Sequence, residues 1–315
     1  KEITFDGQLG KIYNNAQLMG KIDLPTNIPT SFRFIASIST FDYYKKDKLF
    51  SRNDKPSFNS KDERFVKLMV ALPFLANKRA EFSLGYGQLE DNYFQSSVID
   101  FDKDRSDRST YKLLGGSIGF YGSTLNTRQY ATKGYLEKLI AQVFTGRERF
   151  EPGNPQEGYS PSPQERQSWL QISYMKEAYH TMGPKFTLGW MAEALYSSKN
   201  FSENYTATMM QAGEFAPTPH SKLMYNEAFR ANQYVAAGIK PIYVLNDMFQ
   251  FRTEFYGFTP IFPIKKNALN KAYYGKAFSR FEYMGEVSVI CHLPFGAISA
   301  YVNHYSSPRR EWNVG

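Results

Sequence analysis

Gly115-Gly116-Ser117-Ile118-Gly119 has the spacing of a hydrolase nucleophile elbow, Gly-x-Ser-x-Gly. That motif does chemistry only where a sharp strand-to-helix turn exposes the serine hydroxyl. Here Leu114, Ile118 and Phe120 alternate with it, so the stretch reads as the interior of a strand. Its glycines there relieve crowding or allow curvature. No Asp-Gly-Gly or Asp-Gly-Ala follows to complete a serine–aspartate dyad, and the single Asp-Gly, Asp6-Gly7, lies upstream. His180, His220, His292 and His304 are scattered without metal-ligand spacing. The sequence therefore predicts no catalytic residue, metal or cofactor within these 315 residues. The carboxylates Glu254, Glu282 and Glu286 and the cations Lys240, Arg252 and Arg280 fall at alternating strand positions. Such charges are expected to balance one another on the inner wall of a water-filled lumen.

The elements that would position these groups are long strands. Phe249, Phe251, Thr253 and Phe255 oppose Gln250, Arg252, Glu254 and Tyr256. The same period of two runs through Val66, Leu68, Val70 and Leu72, through Phe82, Leu84 and Tyr86, and through Phe186, Leu188, Trp190, Ala192, Ala194 and Tyr196. The segments run about 10 to 14 residues, against about 5 to 6 in soluble sheets, and suit a tilted bilayer crossing. Tyr (23) and Phe (26) bring aromatics to 17%, far above an ordinary globular mix and fitting interfacial girdles. The mean hydropathy of −0.49 agrees with a polar lumen, since only alternate residues need face lipid. No apolar run reaches the length of a membrane-crossing helix.

Short turns at Leu24–Thr30, Phe74–Lys78, Gly122–Tyr130, Met182–Pro184, Asn246–Met248 and His292–Gly296 alternate with longer polar stretches at Lys45–Lys61, Asp91–Ser109, Glu148–Arg166, Ser197–Asn232 and Thr259–Ala277. That parity predicts an all-β, up-and-down antiparallel transmembrane β-barrel with short periplasmic turns and long outer loops. A soluble sandwich has no reason to keep it. Lys1–Phe5 reads as the tail of a rising strand, Ser306–Arg309 as an outer loop, and Arg310–Gly315 as the start of a descending strand. With about 13–14 strands represented, the complete barrel is expected to hold about 16, since single-chain bacterial barrels are even-numbered and edgeless. Residues 1–315 are thus expected to be one barrel domain, truncated at both ends, and the Lys-Glu-Ile-Thr-Phe start carries no signal peptide.

The net charge of +8 is dispersed and intermixed with acids, as in Asp100-Phe101-Asp102-Lys103-Asp104-Arg105, which argues for solvated loops and against nucleic acid. One cysteine, Cys291, excludes an intrachain disulfide framework. A barrel of this kind implies a bacterial outer membrane, with its lipid and lipopolysaccharide as partners.

Counted back from a sixteenth strand, the longest loop, Ser197–Asn232, joins strands eleven and twelve. Near its end, Ala228-Phe229-Arg230-Ala231-Asn232 resembles the sixth-loop Val/Ile-Arg-Gly-Phe/Tyr motif of the outer-membrane insertase and translocase superfamily, the bacterial surface antigen barrels. Phe229-Arg230-Ala231 departs from the Val-Arg-Gly core. The stretches 125–131, 230–240 and 274–278 resemble the barrel halves of patatin-like phospholipase fusions in Bacteroidetes. This resemblance implies protein translocation, insertion or membrane anchoring, a protein passenger or the chain's own upstream domain as partner, and lipid acyl hydrolase and POTRA-like modules upstream of Lys1. It also implies that Phe229 and Arg230 anchor the loop inside the lumen. A guanidinium bridges carboxylates by bidentate charge-assisted bonds, so Arg230 is expected to pair with Glu254 first, or with Glu282 or Glu286. The alternative from another class is a diffusion porin or substrate-specific channel.

Overall fold

The computed structural model describes residues 1–10, 12–25, 27–43, 59–95, 104–154, 166–294, 296–307 and 312–314. Most of the expected outer loop Lys45–Lys61, parts of Asp91–Ser109 and Glu148–Arg166, and the expected outer-loop residues 308 and 309 lie outside the described residues. Among the described residues the regular structure is almost all strand. In order come β1 (Glu2–Gln8), β2 (Tyr13–Leu24), β3 (Thr30–Tyr43), β4 (Asn59–Leu75), β5 (Lys78–Tyr93), β6 (Asp107–Ser123), β7 (Gly134–Glu151), β8 (Arg166–Thr181) and β9 (Phe186–Ser197). The long loop then carries α1 (Tyr205–Gln211) and the two-residue strands β10 (Gly213–Glu214) and β11 (Arg230–Ala231). After it follow β12 (Gln233–Val244), β13 (Phe249–Pro260), a small hairpin of β14 (Ile264–Lys266) and β15 (Ala272–Tyr274), β16 (Glu282–Leu293), β17 (Gly296–Tyr305) and β18 (Trp312–Val314).

Fourteen of these strands form one sheet in which each is hydrogen-bonded to its sequence neighbour, leaving out the loop elements β10, β11, β14 and β15. Every pairing is antiparallel. The outer edges are β1 and β18. This is the up-and-down meander read from loop parity, with β1 and β18 where rising and descending segments were expected. One departure is the connection between β1 and β2, a short one at the long-loop end. Another is the supposed short turn Gly122–Tyr130, which is the ten-residue segment 124–133.

Burial runs opposite to that of a soluble sheet. Along β13 the apolar residues Phe249, Phe251 and Phe255 are exposed, while Gln250, Arg252, Glu254 and Tyr256 are buried. Along β16, Tyr283, Val287 and Val289 face out while Glu282, Glu286 and Ser288 are buried. The exposed apolar rows continue across strands in register, as in Leu68–Leu84 and Val143–Leu170. At the short-turn end, exposed Phe186, Tyr243 and Phe251 sit opposite one another on β9, β12 and β13. This aromatic row is what a bilayer interface selects. An apolar outside and a charged inside place lipid outside and water inside, and the chain is an outer-membrane β-barrel.

A lipid-facing position tests this inversion. Leu84 is 56% exposed, and in a soluble sheet Leu84→Arg would be nearly neutral. In lipid it is expected to cost about 2–4 kcal/mol, read as a lower folded fraction in heat-modifiable gel migration. Gln142→Arg, on the lumenal face of β7, should be tolerated.

Candidate functional site: the lumen and its crossing loop

The inward faces of the two halves of the sheet converge on the segment between β9 and β12. Asn204 caps α1 by accepting from the Ala207 N–H (2.8 Å) and donates to Tyr93 Oη at the outer end of β5 (2.8 Å). An N-cap asparagine satisfies an otherwise orphaned helix donor, so the same side chain both starts the helix and ties it to the wall. Tyr111 of β6 donates to Ser202 Oγ (2.8 Å), and Glu148 of β7 accepts from the Glu203 N–H (3.3 Å). Gln211 donates to the buried Asp91 of β5 (2.5 Å).

Lys199 is held between the rings of Tyr111 and Trp169, its Nζ 4.5 and 5.0 Å from their centroids. Burial depresses its ammonium to about 8, although Asp91 and Glu148 pull the other way. Cation–π contact and the amide of Gln211, at 3.2 Å, replace the lost water.

The far end of the loop holds the opposite wall. Thr218 donates to Glu286 Oε2 (3.0 Å), and His220 places Nδ1 2.8 Å from Glu286 Oε1 and Nε2 3.1 Å from Ser299 Oγ. The imidazole also stacks on Tyr301 at 3.5 Å. Phe215 is buried among Tyr234, Tyr256 and Phe258, whose ring centroids lie 5.9–6.3 Å away. Phe229 packs against Phe258 (5.6 Å) and Tyr305 (5.8 Å). The loop therefore crosses the lumen from β5–β7 to β12–β17, and at Ser299 it reaches the short-turn half of β17.

Arg230 is the keystone of the loop's own fold. It is 5% exposed and pairs with Glu214 at 2.7 Å across the β10–β11 ladder, where the two residues are direct register partners. Its Nη1 donates to the Met210 carbonyl (3.1 Å) at the end of α1, satisfying an orphaned helix acceptor. The guanidinium lies 4.7 Å from the Tyr225 ring and 3.5 Å from Tyr43 Oη of β3. Burial opposes its charge, but Glu214 and the surrounding tyrosines hold its pKa above the ordinary arginine value.

This corrects the expected partner. Glu254, Glu282 and Glu286 all face inward, yet none pairs with Arg230. Glu254 is taken by Arg252 of its own strand (2.9 Å) and by Tyr256. Glu282 is taken by Arg280 (3.3 Å) and Ser306, and Glu286 by Thr218 and His220. Arg252 and Glu254, two alternate and therefore inward positions on one strand, already neutralise each other, whereas Arg230 meets the carboxylate its own short ladder presents. Glu214, Phe215, Thr218, His220 and Lys199 carried no periodic signal in sequence.

Closure is also built from the other end. The segment 124–133 turns inward so that its carbonyls at Tyr130 and Ala131 accept from Gln250 (3.2 Å) and Arg252 (3.1 Å) of β13. Ala131 is buried with Tyr179 and Ile242. On the β3–β7 side a cavity of about 400 Å³ remains at the short-turn mouth, lined by Arg33, Arg79, Tyr121 and Lys138 among others.

Ser117 lies in the β6 strand and faces the lumen, hydrogen-bonded to Ser83 (2.6 Å). No histidine or carboxylate is bonded to it among the described residues. The flanking glycines make room for rings: a Cβ at Gly115 would meet Phe144 at 2.7 Å, and one at Gly119 would meet Tyr121 at 2.5 Å. Among the described residues no group of three or more His, Cys, Asp or Glu is placed to hold a metal.

No family model matches the chain, and no curated protein does. Among solved structures it is similar to BamA from Haemophilus ducreyi lacking POTRA domains 1–3, with a TM-score of 0.63 at 11% identity over 99% of this chain and 62% of that one. Looser likeness extends to BauA, the ferric preacinetobactin receptor of Acinetobacter baumannii (TM-score 0.45, 10% identity, 97% of this chain and 49% of that one). The translocator domain of the autotransporter NalP from Neisseria meningitidis gives 0.35 at 9% identity, over 92% of this chain and 85% of that one. The chain thus spans about three-fifths of the BamA chain it matches. At these identities the shared property is the fold.

Proposed function

We propose that this chain is a plugged outer-membrane barrel of the surface antigen type, acting in protein translocation or insertion, or in anchoring of a passenger domain, and not as a diffusion channel. The observation that carries this reading is the loop tied to both walls at once, by Asn204–Tyr93 and Ser202–Tyr111 on one side and by His220 and Thr218 to Glu286 on the other. A constriction loop of a porin leaves a water path past it. Here the loop's polar and aromatic contacts run from Tyr93 at the outer end of β5 to Ser299 in the short-turn half of β17, and the segment 124–133 bonds to β13 from the short-turn end. The arrangement supports a path that opens only when a substrate or a conformational change moves the loop.

Planar-bilayer recording tests this. The wild type is expected to give little steady current, and a variant with residues 203–228 replaced by a short Gly/Ser linker to give large, stable currents. Ohmic conduction by the wild type at the level of the loop-shortened variant would favour the porin reading and overturn this one.

The finer proposal is that the barrel belongs to a patatin-like phospholipase fusion, as the stretches 125–131, 230–240 and 274–278 support. The coding sequence upstream of Lys1 tests it. A Gly-x-Ser-x-Gly hydrolase followed by a POTRA-like module is expected, and several POTRA modules without a hydrolase would contradict it.

A further inference from the structure

β4–β8 contain 16–18 residues each, whereas β9, β12, β13, β16 and β17 contain 10–12. The additional residues project the β4–β8 arc beyond the apolar band on the long-loop side. At the foot of that projection one cross-strand row runs Arg64–Gln88–Lys112–Arg147–Arg166, each residue the register partner of the next. All five are on the outward face, and the four cations are exposed. The row two residues nearer the membrane is Val66–Tyr86–Leu114–Thr145–Ser168, and below it lie Leu68, Leu84, Val143 and Leu170, so the cations stand directly on the hydrocarbon boundary.

Like charges placed directly opposite destabilise a sheet, and this row does so twice, at Lys112↔Arg147 and Arg147↔Arg166. Among the described residues no carboxylate forms an ion pair with Arg64, Lys112, Arg147 or Arg166. The nearby acids are otherwise engaged: Glu90 with Arg108 (3.3 Å), Glu151 with Arg149 (2.7 Å), and Asp62 with the Thr40 hydroxyl (2.6 Å). Four strand intervals separate Arg64 from Arg166, about 19 Å along the barrel wall.

We propose that this row is a binding site for the phosphate groups of lipid A in the outer leaflet. Guanidinium and ammonium groups aligned at the height of a lipid headgroup offer charge-assisted bonds to phosphate, while the apolar rows below receive the acyl chains. A phosphorylated disaccharide between the cations also removes the repulsion that the bare row builds in. The site depends on the outer-membrane placement of the barrel and on the long loops facing outward, and it is independent of the loop's role in the lumen.

The test is native mass spectrometry of the full-length protein in detergent, titrated with bis-phosphorylated lipid A, with lipid A stripped of its phosphates, and with phosphatidylglycerol. The wild type is expected to retain bis-phosphorylated lipid A in preference to the other two. Lys112→Gln with Arg147→Gln should weaken that retention about tenfold, without loss of heat-modifiable migration, because relief of like-charge opposition does not harm the fold. Exchanging the two cations, Lys112→Arg with Arg147→Lys, should retain binding. Lys265→Gln with Lys266→Gln, in the β14–β15 hairpin, should bind as the wild type does. Undiminished retention by the Lys112 and Arg147 double variant would overturn the proposal, as would equal retention of the dephosphorylated lipid or of phosphatidylglycerol.

Discussion

Arg230→Ala should free the loop from its own scaffold and cost about 3 kcal/mol, the lower end of the range for removing one partner of a buried ion pair. Three interactions go at once: the 2.7 Å pair to Glu214, the donation to the Met210 carbonyl at the end of α1, and the stacking over Tyr225. Glu214 keeps a quarter of its side chain exposed, which spares it the full cost of an isolated buried carboxylate and sets the estimate at the low end. The variant is expected to lose heat-modifiable migration at a lower temperature than the wild type. Lys222→Ala, which removes an exposed cation from the same loop, should leave it unchanged. Equal behaviour of the two variants would show that Arg230 is not what holds the loop together. Arg230→Lys is expected to recover little, because one ammonium cannot meet Glu214 and a helix carbonyl in the plane that the guanidinium spans.

The second large effect is expected at Phe215. Its ring is 2% exposed and touches three aromatic rings of the wall. Phe215→Ala leaves a cavity between loop and barrel and should cost about 3–5 kcal/mol. The site's position decides how that loss appears. The wall strands keep their ladders and their lipid contacts, so the barrel itself stays folded while the loop loses its hold. Limited proteolysis is expected to cut the Phe215→Ala loop between residues 203 and 228 while the wild type resists, with the strands protected in both. Protection of the variant loop to the wild-type level would contradict this.

Much of the architecture was legible because lipid imposes a period. Phe249, Phe251 and Phe255 had to share a face, and loop parity made that face the outside of a meander. The same rule put Glu254, Glu282 and Glu286 inward, where they are. Alternation could not say what each carboxylate meets, because the partners come from segments with no period. Glu214 reaches Arg230 only through a ladder two residues long, and His220 reaches Glu286 through a loop whose path is set by helix capping at Asn204 and burial of Phe215. The in-line neighbour Arg252 is the nearer rival for Glu254: alternate residues on a strand share a face, and Arg252 satisfies Glu254 before any loop arrives. The segment 124–133 read as an ordinary turn since its contacts run through backbone carbonyls, which any sequence supplies.

The most direct test of the loop's position is a covalent staple formed in intact cells. A Cβ built at Gly213 would lie 3.4 Å from Cγ of Leu195 on β9, close to what a disulfide requires. Leu195→Cys with Gly213→Cys, in a Cys291→Ser background, should oxidise readily in the outer membrane and give a band of altered mobility that reductant reverses. Absence of that band, with both thiols open to a membrane-impermeant maleimide, would place the loop outside the lumen.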